Sequence, residues 1–215
     1  MTDKEISAKV ANYLLEVKAV KLSPDNPFTW TSGLLSPIYC DNRITLSYPE
    51  ARTFIRDTFV TIIKKYFKDV ECIAGIATAG IAQGALIADA MGLPYIYIRP
   101  EAKKHGMKNS VEGYLKEGAN VVLIEDLVST GKSSLAALEN LRASGGNALG
   151  LVSIFTYGFP DALERFKQAS CPYIYLSNYT VLLEEAVKSG YISTQHKATL
   201  ESWSSDPAAW ASTHQ

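Results

Sequence analysis

Cysteine is scarce and scattered. Cys40, Cys72 and Cys171 are odd in number, widely spaced and without a CxxC pair, which argues against a disulfide framework and against a zinc site. They read as reduced thiols of a cytoplasmic protein. No apolar run approaches the roughly 20 residues needed to cross a bilayer. The opening Met-Thr-Asp-Lys-Glu-Ile-Ser-Ala-Lys lacks the apolar core of a signal peptide. The expectation is a soluble protein with no membrane partner. An excess of one charge is missing too: 21 Lys and Arg against 22 Asp and Glu leave no electrostatic footprint for nucleic acid. Of the few histidines, His196 and His214 lie outside any pattern and read as surface residues.

What is present is a chain of 215 residues, long enough for one well-buried domain. Ile6, Val10, Tyr13, Leu14 and Val17 fall at helical spacing, so about Asp3 to Val20 is an amphipathic helix. Leu22 to Pro37 reads as loop, and Tyr48 to Phe67 as a second helix. Strands are then expected at Cys72 to Ala77, Tyr95 to Arg99, Val121 to Glu125, Ala148 to Phe155 and Tyr173 to Leu176. Helices near Ile81 to Ala90, Lys132 to Ser144 and Asp161 to Ala169 fall between most of them. That alternation implies an α/β fold with a mostly parallel central sheet and helices on both faces. Between Arg99 and Val121 no helix is visible. A long polar connection there reads as a mobile functional loop. The tail Ser202 to Gln215 has no clear pattern, and its Trp203 and Trp210 are expected to anchor it.

The most informative stretch is Val121-Val-Leu-Ile-Glu-Asp-Leu-Val-Ser-Thr-Gly-Lys-Ser-Ser134. Its aliphatic run suits a central parallel strand, and such sheets bind ligands at the carboxyl ends of their strands. Glu125 and Asp126 stand at that end. Beyond them, Ser129 to Ser133 offer backbone N–H groups and hydroxyls at a helix start whose dipole favours an anion. Carboxylates that accept from sugar hydroxyls, beside an anion site, suit a pentose phosphate. Gly131-Lys132-Ser133 looks like the end of a P-loop, but a P-loop needs glycine five residues before the Gly-Lys pair, and Asp126 occupies that position.

Hydrophobic run, acidic pair, Leu127-Val128, Ser129-Thr-Gly131 and a further Ser resemble the phosphoribosyl pyrophosphate (PRPP) motif of the type I phosphoribosyltransferases. Arg99-Pro-Glu-Ala-Lys-Lys-His-Gly106 is similar to the catalytic loop of the orotate-using branch. Phe28-Thr-Trp-Thr-Ser-Gly-Leu-Leu-Ser-Pro37, followed by Ile-Tyr-Cys-Asp-Asn-Arg43, is similar to the hood that holds the base there. The resemblance covers nearly the whole chain. It implies a single phosphoribosyltransferase domain over 1–215, with a hood at about 1–45, a core at about 46–190 and a tail at about 191–215. It also implies transfer of the phosphoribosyl group from PRPP to orotate in pyrimidine nucleotide synthesis. By the same resemblance, Lys103 and His105 are catalytic. Arg99, Lys103, His105, Glu125, Asp126, Leu127, Val128, Ser129, Thr130, Gly131, Lys132 and Ser133 bind PRPP, and Ser129 also contacts orotate. The carboxylates take the ribose hydroxyls, the Ser129 to Ser133 turn takes the 5'-phosphate, and Mg2+ is held mainly through PRPP. Ala77-Thr-Ala-Gly80 matches the short pyrophosphate loop. A homodimer is implied, with the loop of one subunit reaching its partner's site.

The chain departs from the usual pattern at several cations. Thr31, Thr78, Ala79 and Pro100 stand where many orotate enzymes have Lys, Tyr, Lys and Lys, and Phe155-Thr-Tyr-Gly-Phe159 lacks an Arg that often pairs with the orotate carboxylate. A subclass shares the Asp-Asn-Arg43 and Tyr-Gly-Phe-Pro160 patterns. The alternatives are a purine base as acceptor, or a PRPP-sensing regulator of the same fold. The loop and hood favour orotate, and the balanced charge argues against a nucleic-acid-binding regulator.

Overall fold

The structure is a computed structural model that describes residues 1–30, 33–99 and 110–213. The chain forms two compact units, Met1–Ala51 with Ser177–Gln215, and Arg52–Leu176.

In the first unit, helix α1 (Asp3–Glu16) starts at a capping box. The Thr2 amide donates to Glu5 at 2.7 Å, and the Glu5 amide donates to the Thr2 hydroxyl at 3.3 Å. The stretch Leu22 to Pro37, read as loop, contains the short strands β2 (Phe28–Thr29) and β3 (Leu35–Ser36) and is flanked by β1 (Val20–Leu22) and β4 (Ile38–Cys40). β1 pairs antiparallel with β4, and β2 with β3. Two or three residues are too few for an alternating pattern to show. Asp41 then caps a 3₁₀ turn at Asn42–Ser47. Its carboxyl accepts from the Arg43 side chain at 2.7 and 3.0 Å, and these bonds hold it below the usual carboxylate range.

Three later helices of this unit escape the sequence pattern: α6 (Tyr179–Lys188), α7 (Thr194–Ser205) and α8 (Pro207–Thr213). In α7 only Leu200 and Trp203 are buried, too thin a stripe to announce a helix. Trp203 is fully buried and meets Trp30 edge-on at 5.8 Å, and Trp210 is buried as well. α6 packs against α1, tied by the Asn12 amide donating to Glu185 at 2.8 Å. His196 is partly exposed and lies 3.2 Å from Asp25, while His214 is outside the described residues.

The second unit carries most of α2 (Pro49–Tyr66), then β5 (Cys72–Ile76), α3 (Gly80–Met91), β6 (Tyr95–Ile98), β7 (Val111–Glu112), β8 (Asn120–Val128), α4 (Lys132–Ala143), β9 (Asn147–Thr156), α5 (Pro160–Gln168) and β10 (Tyr173–Asn178). The six-stranded sheet has the order β10-β9-β8-β5-β6-β7. β6, β5, β8 and β9 run parallel, and β7 is an antiparallel edge strand that the sequence pattern did not reveal. β8 also runs past the expected end at Glu125, because Leu127 and Val128 stay paired with Phe155 and Thr156.

Val121 through Ile124 are all fully buried, as a strand covered on both faces requires. Val121 and Leu123 join Ala137, Leu138 and Leu141 of α4 in one core. The other face takes α3 at very close range. A Cβ on Gly75 would lie 2.6 Å from both the Gly80 carbonyl and the Tyr95 hydroxyl, and one on Gly84 would lie 3.0 Å from the Gly75 Cα. A Cβ on Gly80 would run into the Ile124 carbonyl. The Tyr95 hydroxyl, its pKa raised by burial to about 12, donates to the Ile81 carbonyl at 2.7 Å and pins the first turn of α3.

Gly75→Ala is therefore expected to lower stability by about 1–3 kcal/mol, the usual range for forcing an extra carbon into a packed core. Thermal and urea unfolding read this directly, and an unchanged midpoint would contradict the close approach of α3 to β5.

Candidate active site

The strand register aligns three segments at the carboxyl edge of the sheet. Ile76 is level with Ile98, and Gly75 with Ile124. One residue further along, Ala77 stands between Arg99 on one side and the Glu125–Asp126 end of β8 on the other. Neighbouring strands lie about 4.8 Å apart, so this row spans roughly 10 Å, the scale of a sugar with its phosphates. The Ala77 amide donates to the Ile98 carbonyl at 2.8 Å, and the turn that follows leads through Thr78 and Ala79 into α3 at Gly80. The Ala77–Thr78 peptide bond is cis.

The two carboxyls of β8 differ in environment. Glu125 is only 5% exposed. One of its oxygens accepts from the Ser134 hydroxyl at 3.1 Å and the other from the Asp126 amide at 3.0 Å. Burial, and then the neighbouring Asp126, push its carboxyl well above the usual carboxylate range. Asp126 is half-exposed at the strand end.

Beyond Val128 the chain turns through Ser129 and Thr130 to Gly131, which sits in the left-handed region at φ 75° and begins α4 without a side-chain cap. Two requirements select glycine there. An L side chain rarely adopts that φ, and a Cβ would lie 3.1 Å from the Phe166 ring. Phe166 is itself stacked on Tyr173 at 4.5 Å and cannot easily give way. The carbonyls of this turn are tied down from behind. Val128 O accepts from the Thr156 hydroxyl at 3.0 Å, and Thr130 O accepts from the Arg165 guanidinium at 3.3 Å. Lys132 and Ser133, in the first turn of α4, are exposed. A helix start without a side-chain cap presents backbone N–H groups of a kind that suits an anion.

Arg99 follows β6. Its amide donates to Ser110 O at 2.8 Å, its carbonyl accepts from the Asn140 side chain at 2.9 Å, and its guanidinium lies 3.9 Å from Glu112. The structure thus brings Arg99, the Ala77–Gly80 turn, Glu125, Asp126 and the Ser129–Ser133 turn to one edge. Lys103, Lys104 and His105 lie outside the described residues, as do Thr31, Ser32 and Pro100. In the first unit, Gly33 has φ 84°, and the Ser36 hydroxyl is turned inward to donate to Ile38 O at 3.0 Å. Tyr39 is 40% exposed and packs at 5.8 Å from Phe28.

Sequence reasoning missed the supporting residues Ser134, Thr156, Arg165 and Tyr95. Cys72 and Cys171 are buried thiols with pKa raised by that burial to about 11, unsuited to nucleophilic chemistry. A groove of about 570 Å³ lined by Leu163, Phe166 and Tyr173 is mainly apolar and offers little to a phosphate.

No family model matches the chain. Curated relatives do. The chain is 49% identical to the orotate phosphoribosyltransferase of Porphyromonas gingivalis over 207 residues, 96% of this chain and 99% of that one. It is 51% identical to that of Cytophaga hutchinsonii over 202 residues, 94% of this chain and 97% of that one. Among solved structures, orotate phosphoribosyltransferase from Aeropyrum pernix aligns with a TM-score of 0.75 at 26% identity, covering 86% of this chain and 99% of that one. UMP synthase of Leishmania donovani aligns with a TM-score of 0.79 at 27% identity over 93% of this chain, which spans 42% of that longer protein. With the expected parallel sheet, acidic strand end and hydroxyl turn all in place, and with half of its residues shared along nearly the full length of these relatives, the chain belongs to the orotate phosphoribosyltransferase family.

Proposed function

We infer that the chain transfers the 5-phosphoribosyl group from PRPP to the ring nitrogen of orotate, giving orotidine 5'-monophosphate and pyrophosphate in pyrimidine nucleotide synthesis. The observation that carries the reading is the row at the carboxyl edge of the sheet, where a cation, an amide-bearing turn, a half-exposed carboxylate and an open helix start follow one another. The relatives' shared name supports orotate as the base.

The roles follow from charge. The Ser129–Ser133 turn takes the 5'-phosphate on amides and hydroxyls, and the Asp126 carboxylate accepts from ribose hydroxyls. As the bond from C1 to pyrophosphate breaks, negative charge grows on the leaving group and positive charge on the ribose. Cations aimed at pyrophosphate therefore stabilise the transition state more than the ground state. Arg99 supplies one from the strand end through its forked donors. Lys103 and His105 supply the others, and Ser129 contacts the base. Among the described residues no group of three His, Cys, Asp or Glu side chains could hold a metal. A hard cation prefers oxygen, so Mg2+ fits here through the oxygens of PRPP and water, and when bound it offsets pyrophosphate charge. The whole chain acts as one phosphoribosyltransferase domain. It works as a cytoplasmic homodimer in which the Lys103 loop serves the partner's site. No helix among the described residues is long and apolar enough to cross a membrane.

The test of the reaction is orotate consumption, followed by its near-ultraviolet absorbance, with purified protein, PRPP and Mg2+. Hypoxanthine, xanthine and uracil are assayed in parallel by pyrophosphate release. Orotate is expected to react, and reaction of another base instead would overturn the substrate. Asp126→Asn is expected to weaken PRPP binding about tenfold to a hundredfold, the range for losing hydrogen bonds to a charged group. Unchanged affinity by calorimetry would remove Asp126 from the ribose. Lys103→Ala is expected to lower kcat by about 10²–10³ while PRPP affinity changes little, as for other groups that act on transition-state charge. An undiminished kcat would exclude it from catalysis.

A further inference from the structure

Two side chains from later in the chain hold the Ser129–Ser133 turn from behind, one at the end of β9 and one on α5. Val128 O accepts from the Thr156 hydroxyl at 3.0 Å and from the Tyr157 amide at 3.3 Å. Thr130 O accepts from the Arg165 guanidinium at 3.3 Å. The peptides that carry these carbonyls, 128–129 and 130–131, are trans. In a planar trans peptide the N–H points opposite to the C=O, so each tether also sets the direction of the next amide. The Ser129 N–H is thereby turned away from β9, and the Gly131 N–H away from α5. The second tether has a particular task, because glycine at 131 gives the 130–131 peptide freedom to turn over. A reversed peptide would offer an anion a carbonyl in place of an amide. Thr156 is fully buried, and its hydroxyl also accepts from the Gly158 amide at 3.1 Å and shares a side-chain hydrogen bond with Tyr173, whose own hydroxyl lies 2.8 Å from that of Ser153. This buried node is set before any ligand arrives.

We propose that Thr156 and Arg165 are positioning residues for the 5'-phosphate: by holding the Val128 and Thr130 carbonyls from behind, they keep the Ser129 and Gly131 amides aimed at the phosphate, without touching it themselves. They divide the work by place. Thr156 fixes the point where β8 ends, from inside the core, and Arg165 fixes the middle of the turn from the partly exposed side of α5. Preorganised amides meet the anion without having to turn at the moment of binding, which is where such donors gain their strength.

The inference rests on the transferase reading, and the choice of ligands separates the two. Calorimetry would compare the wild type with Thr156→Val, Thr156→Ser, Arg165→Ala and Arg165→Lys, with circular dichroism as the check on folding. Three ligands are titrated: PRPP with Mg2+, orotidine 5'-monophosphate, which has the 5'-phosphate and no pyrophosphate, and pyrophosphate with Mg2+, which has no 5'-phosphate. Thr156→Val is expected to weaken PRPP and orotidine 5'-monophosphate by about tenfold and Arg165→Ala by about threefold, the scale of one buried and one exposed hydrogen bond, while pyrophosphate stays within about twofold. Thr156→Ser and Arg165→Lys, which keep a donor, recover most of the loss. In steady-state assays KM for PRPP rises while kcat and KM for orotate change little. Unchanged affinity for orotidine 5'-monophosphate in Thr156→Val or Arg165→Ala, or a loss for pyrophosphate as large as that for the nucleotide, would overturn the proposal. Where Thr156→Val does not fold, Arg165→Ala decides alone by the same criteria. A wild type that binds neither PRPP nor orotidine 5'-monophosphate would remove the transferase reading itself.

Discussion

A carboxyl buried at the end of a central parallel strand must be matched by donors, and that requirement organises the site. β8 is apolar from Val121 to Ile124 because both of its faces are covered. At Glu125 the strand turns polar before it has left the core, and leaving that side chain unsatisfied would cost a few kcal/mol. Ser134 and the Asp126 amide meet the demand. In doing so they tie the start of α4 to the strand, so one local solution to a desolvation problem also shapes the Ser129–Ser133 turn.

Packing supplies the other half of the arrangement. Glycines at 75, 80 and 84 let α3 approach β5 and β8 with backbone against backbone, which brings the Ala77–Gly80 turn down to the level of the acidic strand end. Gly131 plays a similar part against Phe166 on the α4 side. Two helix starts therefore face the same edge from opposite faces of the sheet. Arg99 extends the row by one strand, with its main chain held by Ser110 and Asn140. With Ala79 and Pro100 where many orotate enzymes have Lys, the proposed reaction leaves Arg99 and the Lys103 loop as the cations for pyrophosphate, which places more of the charge control on them.

Much of this was legible in the sequence, and the rest was not for identifiable reasons. The aliphatic run of β8 and the hydroxyl-rich Ser129–Ser133 turn are local signals, and both lie where the sequence puts them. β7 and the short strands β1 to β4 have too few residues to carry a period. α7 buries too little to show a stripe. The unequal burial of Glu125 and Asp126 depends on Ser134 and on sheet register, which no local pattern encodes. The same holds for Arg165 and Thr156, whose roles exist only because β9 and α5 return behind the turn.

The most direct test of the account is a crystal structure of the protein with PRPP and Mg2+. The account requires the 5'-phosphate on the amides and hydroxyls of residues 129–133, the ribose hydroxyls at the Glu125–Asp126 end of β8, and pyrophosphate along the Ala77–Gly80 turn toward Arg99. A phosphoribosyl group bound away from the carboxyl edge would contradict it.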